Sequence, residues 1–260
     1  MDLQIKGKWA LVCGASRGLG WGCAQALVHE GVNVLIVARR EAVLAEAAQA
    51  LQALGSAQVL ACAADITTEA GRAQVFALRK DFDILVTNAG GPPSGNFRDW
   101  GREDWIRAVE ANMLTPIELI KATVDGMAAR GFGRIINITS GAVKSPIEAL
   151  GLSNGARSGL TGFVAGLARS GIAAQGVTVN NLLPGAFDTD RLQSLFSATA
   201  GKTNQTLDAV ADQRRKSIPA QRFGQPQEFG AACAFLCSPL AGYITGQNIL
   251  VDGGAFGGTF

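Results

Sequence analysis

The stretch Trp9-Ala10-Leu11-Val12-Cys13-Gly14-Ala15-Ser16-Arg17-Gly18-Leu19-Gly20 decides the fold. A short apolar run with no helical period reads as a strand, and the residues from Leu19 to Glu30 carry a helix. Between them Gly14, Gly18 and Gly20 form a glycine-rich turn. Residues without a Cβ allow a tight bend and let a phosphate approach backbone N–H groups at the start of a helix, where the helix dipole favours negative charge. A glycine trio alone says little. Its place between the first strand and the first helix makes a dinucleotide cradle the expectation, with Ser16, Arg17 and Leu19 inside it.

Outward from this turn the pattern repeats. Strand-like runs lie at Trp9 to Cys13, Val32 to Val37, Gln58 to Cys62, Ile84 to Thr87, Arg134 to Ile138, Val177 to Leu182 and Asn248 to Val251. Helical stretches lie at Leu19 to Glu30, Glu41 to Leu54, Thr68 to Lys80, Glu103 to Arg130, Leu150 to Gln175 and Gln227 to Cys237. Seven strands alternating with helices imply an α/β fold, a doubly wound parallel sheet of Rossmann type with helices on both faces. With 260 residues and no linker, repeat or low-complexity tract, residues 1–260 are read as a single domain. The segment Asp188 to Pro219 is polar, Ser/Thr/Gln-rich and weakly patterned. It reads either as a mobile flap over a site, with Leu192, Leu195 and Phe196 facing a moderately apolar ligand, or as a plain surface insertion.

Composition excludes several classes. Twenty-three basic against 21 acidic residues give a net charge of +2 with no run of like charge, so nucleic acid and membrane surfaces are not expected partners. The start carries Asp2, Lys6 and Lys8 and no apolar h-region, and no stretch reaches the ~20 apolar residues of a membrane span, so a cytoplasmic protein is expected. Cys13, Cys23, Cys62, Cys233 and Cys237 are odd in number and sit in apolar runs, which favours reduced buried thiols. With His29 the sole histidine, no metal site is expected.

The glycine turn is followed by Asp65-Ile66 after the third strand, Asn88-Ala89-Gly90 after the fourth, Asn112 in the next helix, Ser140 after the fifth, and Pro184-Gly185 with Phe187 and Thr189 after the sixth. Each falls at the carboxyl end of a strand or in the following helix, where open α/β sheets bind ligands. In this the chain resembles the short-chain dehydrogenases/reductases, and among them the 3-oxoacyl-(acyl-carrier-protein) reductases, over Lys6 to Gly254. The resemblance implies that Asp65 bonds the adenine edge, that Asn88 and Gly90 line the adenine-ribose side, and that Ser140 polarises a substrate carbonyl. It also implies that the Pro184 to Thr189 segment holds the nicotinamide carboxamide. Read on their own, Asn88-Ala89-Gly90 and Pro184-Gly185 could be turn chemistry only.

Charge addresses which dinucleotide is bound. A site for NAD(H) usually places a carboxylate at the end of the second strand, on the ribose 2′-hydroxyl. Here stand Ala38-Arg39-Arg40, with Arg17 in the cradle, so NADP(H) is the expected cofactor and NAD(H) the lesser alternative. Arg39 and Arg40 could also be merely solvated, although cations are not what a helix start prefers.

The family pattern fails at one place. Its Tyr-x-x-x-Lys should begin thirteen residues beyond the serine, and counting from Ser140 reaches Ser153, with Arg157 four residues on. The sole tyrosine, Tyr243, lies near the last strand. Hydride transfer builds negative charge on oxygen, which a tyrosine of lowered pKa neutralises by giving its proton; a serine is a far weaker acid, and an arginine holds its proton at ordinary pH. Arg157 could still bond nicotinamide-ribose hydroxyls. Lys144, Glu148, or a water held by Ser140, Ser153 and Asn112 remain as proton sources, and both charged residues could equally be solvated. Two functions stay open: an NADP(H)-dependent oxidoreductase acting on a small carbonyl, hydroxyl, imine or 3-oxoacyl compound with an atypical proton donor, or an NADP(H)-binding protein of regulatory or structural role. Gly155, Gly159, Gly162 and Gly166 on one helix indicate close backbone approach, either inside the monomer or against a second copy in the homodimer or homotetramer that the resemblance implies.

Overall fold

A computed structural model describes residues 2–259. Seven strands, β1 (Trp9–Cys13), β2 (Asn33–Ala38), β3 (Val59–Ala63), β4 (Ile84–Thr87), β5 (Gly133–Ile138), β6 (Val177–Pro184) and β7 (Asn248–Val251), form one sheet in the order β3-β2-β1-β4-β5-β6-β7. Every neighbouring pair is parallel, with Val12 opposite both Ile36 and Val86 in the centre. Strand order reverses beside β1, so the carboxyl ends of β1 and β4 flank the crevice.

Period-two alternation sorts the strand residues between two cores. Ala10, Val12, Val34 and Ile36 pack on one face with α1 (Gly18–His29), α2 (Glu41–Gln52) and α9 (Pro226–Leu236). Leu11, Cys13, Leu35 and Val37 pack on the other with α3 (Glu69–Leu78), α5 (Thr115–Ala129) and α6 (Gly151–Leu167). Burial on both faces explains why the strands read as continuous apolar runs. All five cysteines are buried and unpaired, and burial pushes the Cys13 thiol up to about 12. Helices α1 and α9 touch backbone to backbone: a Cβ on Gly230 would lie 2.1 Å from the Gly22 carbonyl oxygen, and one on Gly22 would lie 2.3 Å from that of Pro226.

Three elements depart from the sequence reading. The stretch Glu103 to Arg130 is helical but interrupted: α4 (Arg102–Val109) and α5 are joined by a π-helical segment, Glu110–Leu114, that contains Asn112. The helix expected over Leu150 to Gln175 ends at Leu167, where the Ser170 hydroxyl donates to the Leu167 carbonyl (2.7 Å), and only a 3₁₀ turn follows at Ala173–Gln175. The weakly patterned segment is a helical hairpin of α7 (Asp190–Thr203) and α8 (Leu207–Lys216). Thr189 caps the first through Leu192 N (3.4 Å) and Thr206 the second through Ala209 N (3.2 Å). Phe196, Val210, Ala211, Ile218 and Phe223 give the hairpin its own small core.

Candidate active site

The cradle is built from φ values that only glycine adopts without strain: +60° at Gly14 and +61° at Gly18. At Gly20 space is the constraint, because a Cβ would lie 2.3 Å from the Gly14 carbonyl oxygen. Helix α1 begins at extended Arg17 with no side-chain cap and no acid in its first turn, so its leading N–H groups have no anionic partner from the chain. These features fit a dinucleotide pyrophosphate. Asn88 Nδ2 donates to the Gly14 carbonyl (3.3 Å) and ties the end of β4 to the cradle. Ser16 and Leu19 stay half-buried there.

Around the cradle the expected residues separate by role. Arg39 and Arg40 are exposed at the end of β2. Arg17 points instead to the start of α7, forming an ion pair with Asp190 at 2.9 Å. One Asp65 carboxylate oxygen accepts from Thr67 N (3.0 Å) and Oγ1 (2.8 Å), shaping the turn after β3, where Ile66 is buried. Ala89 and Gly90 follow Asn88, and Gly90 lines a pocket of about 120 Å³ with Pro92, Pro93, Asn112 and Leu152. Pro184 and Gly185 run against β7, with Gly185 N donating to the Val251 carbonyl at 2.9 Å. The Phe187 ring is core, edge-on to Phe229 at 5.3 Å, which leaves its backbone for any ligand. Thr189 stands beside Gly18, 3.5 Å from where a Cβ would sit.

At the reacting end, the π segment displaces Asn112 from helical register, as such bulges do at functional sites. Asn112 Oδ1 accepts from Arg157 Nη2 (3.1 Å), and its Nδ2 donates to the Ala108 carbonyl (3.2 Å). Ser153 is buried one helical turn before Arg157 on the same face of α6. Ser140 follows β5 by two residues and caps a 3₁₀ turn, its Oγ accepting from Ala142 N at 3.1 Å. Lys144 lies over the Phe256 ring at 5.7 Å and Glu148 is exposed. Tyr243 is fully exposed and precedes β7, which places it at the edge of the sheet opposite the site.

The sequence reading missed Arg191. From the first turn of α7 its guanidinium crosses the cleft mouth and donates to the Gly91 carbonyl (2.9 Å) and the Pro92 carbonyl (3.2 Å). A Cβ on Gly91 would lie 2.6 Å from it. Burial first, then the Arg191 charge, pushes the Arg157 guanidinium down to about 10, and its Nε is enclosed with no partner. The overlooked signal was a cation in a first helical turn, where the dipole disfavours it.

A family model described as "Enoyl-(Acyl carrier protein) reductase" matches residues 14–255. The chain belongs to the short-chain dehydrogenase/reductase family. It is 35% identical over 259 residues to a 3-oxoacyl-[acyl-carrier-protein] reductase of Vibrio cholerae, covering 98% of this chain and 99% of the relative. It is 31% identical over 255 residues to Dehydrogenase/reductase SDR family member 4 of Oryctolagus cuniculus, covering 96% and 94%. Among solved structures, L-sorbose reductase from Gluconobacter frateurii complexed with NADPH and L-sorbose superposes with a TM-score of 0.92 at 29% identity, covering 99% of this chain and 100% of that one. For a short-chain dehydrogenase/reductase, a site at the carboxyl edge of β1, β4, β5 and β6 is the expected place. Among the described residues no helix is long and apolar enough to cross a membrane, and no cluster of His, Cys, Asp and Glu could hold a metal.

Proposed function

We propose that the protein is an NADP(H)-dependent oxidoreductase that interconverts a carbonyl, imine or 3-oxoacyl group and its reduced form without a tyrosine acid. The contact between Arg157 and Asn112 carries the reading, because it keeps a cation at the reacting end of the cleft, four residues beyond Ser153. The NADPH in the L-sorbose reductase complex supports the choice of cofactor, as do Arg39 and Arg40, exposed where a 2′-phosphate would meet them. Backbone N–H groups of the Gly14 to Gly20 turn would hold the pyrophosphate, Asp65 the adenine edge, Asn88 and Gly90 the ribose, Arg157 the nicotinamide ribose and Thr189 the carboxamide. Bound there, the dinucleotide supplies or accepts hydride.

Ser140 Oγ–H donates to the substrate oxygen, and Arg157, cationic at neutral pH, stabilises the negative charge that grows on it. A water held by Ser140, Ser153 and Asn112 passes the proton to that oxygen and takes one in turn from solvent, so no hydroxide is left in the site. Losing a positioned acid costs ~10²–10⁴ in rate, so turnover is slow. The absence of a tyrosine from this edge also favours a second reading, a protein that binds NADP(H) and serves a regulatory or structural role. Titration with NADPH followed by ketones, 3-oxoacyl thioesters and imines separates them. Cofactor oxidation with at least one class is expected; binding without oxidation across the panel would leave only the second reading.

Assembly as a homodimer or homotetramer belongs to the same proposal. Gly155 and Gly159 pack within the monomer, a Cβ on each coming within 3.2 Å of Trp105 and 2.6 Å of Met113, whereas Gly162 and Gly166 face open space. Exposed Trp105, Ile106 and Leu114 border the same helices. Gly162→Glu with Gly166→Glu is expected to leave a folded monomer, because neither side chain meets anything in its own chain. Light scattering after gel filtration checks this; an unchanged mass would place the interface elsewhere.

A further inference from the structure

Arg157 and Arg191 stand at the reacting end, and neither has a carboxylate within ion-pair distance among the described residues. Their described acceptors are neutral: the Asn112 amide oxygen for Arg157, and the Gly91 and Pro92 carbonyls for Arg191. Arg157 is partly withdrawn from water and Arg191 is exposed, and each guanidinium offers five N–H donors, more than these acceptors occupy. The Nε of Arg157 is enclosed and unanswered. Pro92, whose carbonyl holds Arg191, and Asn112, whose side chain holds Arg157, line one pocket whose own charged side chains, Asp104 and Arg107, pair with each other; the Arg191 charge is felt at Arg157, so the two guanidinium groups stand near one another behind that wall. Two such cations without a counter-charge repel each other and cost desolvation; an anion between them reverses both effects.

We infer that the substrate carries a carboxylate, received by Arg191 within the field of the Arg157 charge, so that the oxidoreductase acts on an oxo acid or its hydroxy counterpart. This rests on the reading of the cleft as that of an NADP(H)-dependent oxidoreductase. Arg157 lies beside Asn112, whereas Arg191 follows Asp190, the partner of Arg17 at the start of α1, so the effect of Arg191 on NADPH affinity is what distinguishes a substrate carboxylate from the pyrophosphate. Arg191 stands in the first turn of α7, so this helix carries the charge to the substrate. The neighbouring Asp190 is already neutralised by Arg17 and does not compete for it.

The test measures NADPH binding first, then the binding of pyruvate, acetoacetate and levulinate to the NADP⁺-loaded protein by calorimetry, each against its methyl ester. At least one acid is expected to bind about tenfold more tightly than its ester, the size of one charge-assisted hydrogen bond. Arg191→Met is expected to abolish that preference with the NADPH Kd unchanged, and Arg191→Lys to retain part of it. Equal binding of acids and esters, no binding of any acid, or a preference that survives Arg191→Met would overturn the inference. A loss of about tenfold in NADPH affinity in Arg191→Met would also overturn it and assign the arginine to the pyrophosphate. Failure of the unmodified protein to bind NADPH would instead remove the cofactor reading beneath it.

Discussion

Ser153→Tyr combined with Arg157→Lys is expected to raise turnover of simple ketones by about 10²–10⁴ over the unmodified protein, the usual contribution of a positioned general acid. The two positions are four apart on α6 and share a face, and the contact of Arg157 with Asn112 shows that this face looks into the site. A tyrosine there projects its phenol beyond the reach of the serine hydroxyl, and a lysine beside it stabilises the phenolate. Arg157→Lys alone should gain nothing, since no acid accompanies it. Steady-state NADPH oxidation, with cofactor affinity measured separately, decides the matter. If the double variant binds NADPH but shows no gain, the pocket does not accept a carbonyl, and the role of a regulatory or structural binder becomes the better account.

Gly20→Ala should weaken NADPH binding by about a hundredfold and lower stability by about 1–3 kcal/mol, the common range for forcing a methyl into a packed site. The added Cβ would meet the Gly14 carbonyl oxygen at 2.3 Å and Asn88 Nδ2 at 2.9 Å, so the cradle and the strand end tied to it must move apart. Gly18→Ala makes a useful contrast. Its Cβ would touch only Thr189, at 3.5 Å, and the strain comes from φ +61°, which costs an alanine about 1–2 kcal/mol. Calorimetric Kd values and melting curves separate a cradle that has shifted from one merely strained. An alanine at position 20 that binds NADPH as before would mean that the pyrophosphate does not rest on this turn.

The alternation of strands and helices was legible because two-sided burial leaves unbroken apolar runs, and the edge that carries the candidate site because glycine, Asp65 and Asn88 fall at strand ends. The π segment at Asn112 was not, since one extra residue in a helix leaves almost no mark on a 3.6-residue period. Helix α6 read too long because small apolar residues continue past Leu167 into a turn stabilised by Ser170. In the α7–α8 hairpin, Thr189 and Thr206 were readable as caps, but the polar faces of α7 and α8 masked the few residues, such as Phe196 and Val210, that pack them together. Arg191 escaped because its importance lies in what it crosses, the Gly91-Pro92 backbone one hundred residues earlier. Pairing across that distance leaves no local trace.

Arg157 also bears on how such a sequence is maintained. Its depressed affinity for a proton means that the native state holds this cation less comfortably than the unfolded chain does, a penalty at neutral pH that fades only as pH climbs above about 10. An apolar residue of similar length would relieve it. Drift removes groups that burden a fold without serving the organism, because substitutions that restore stability are plentiful. A lineage reduced to a passive dinucleotide holder would shed this guanidinium early, so its persistence would separate working descendants from retired ones.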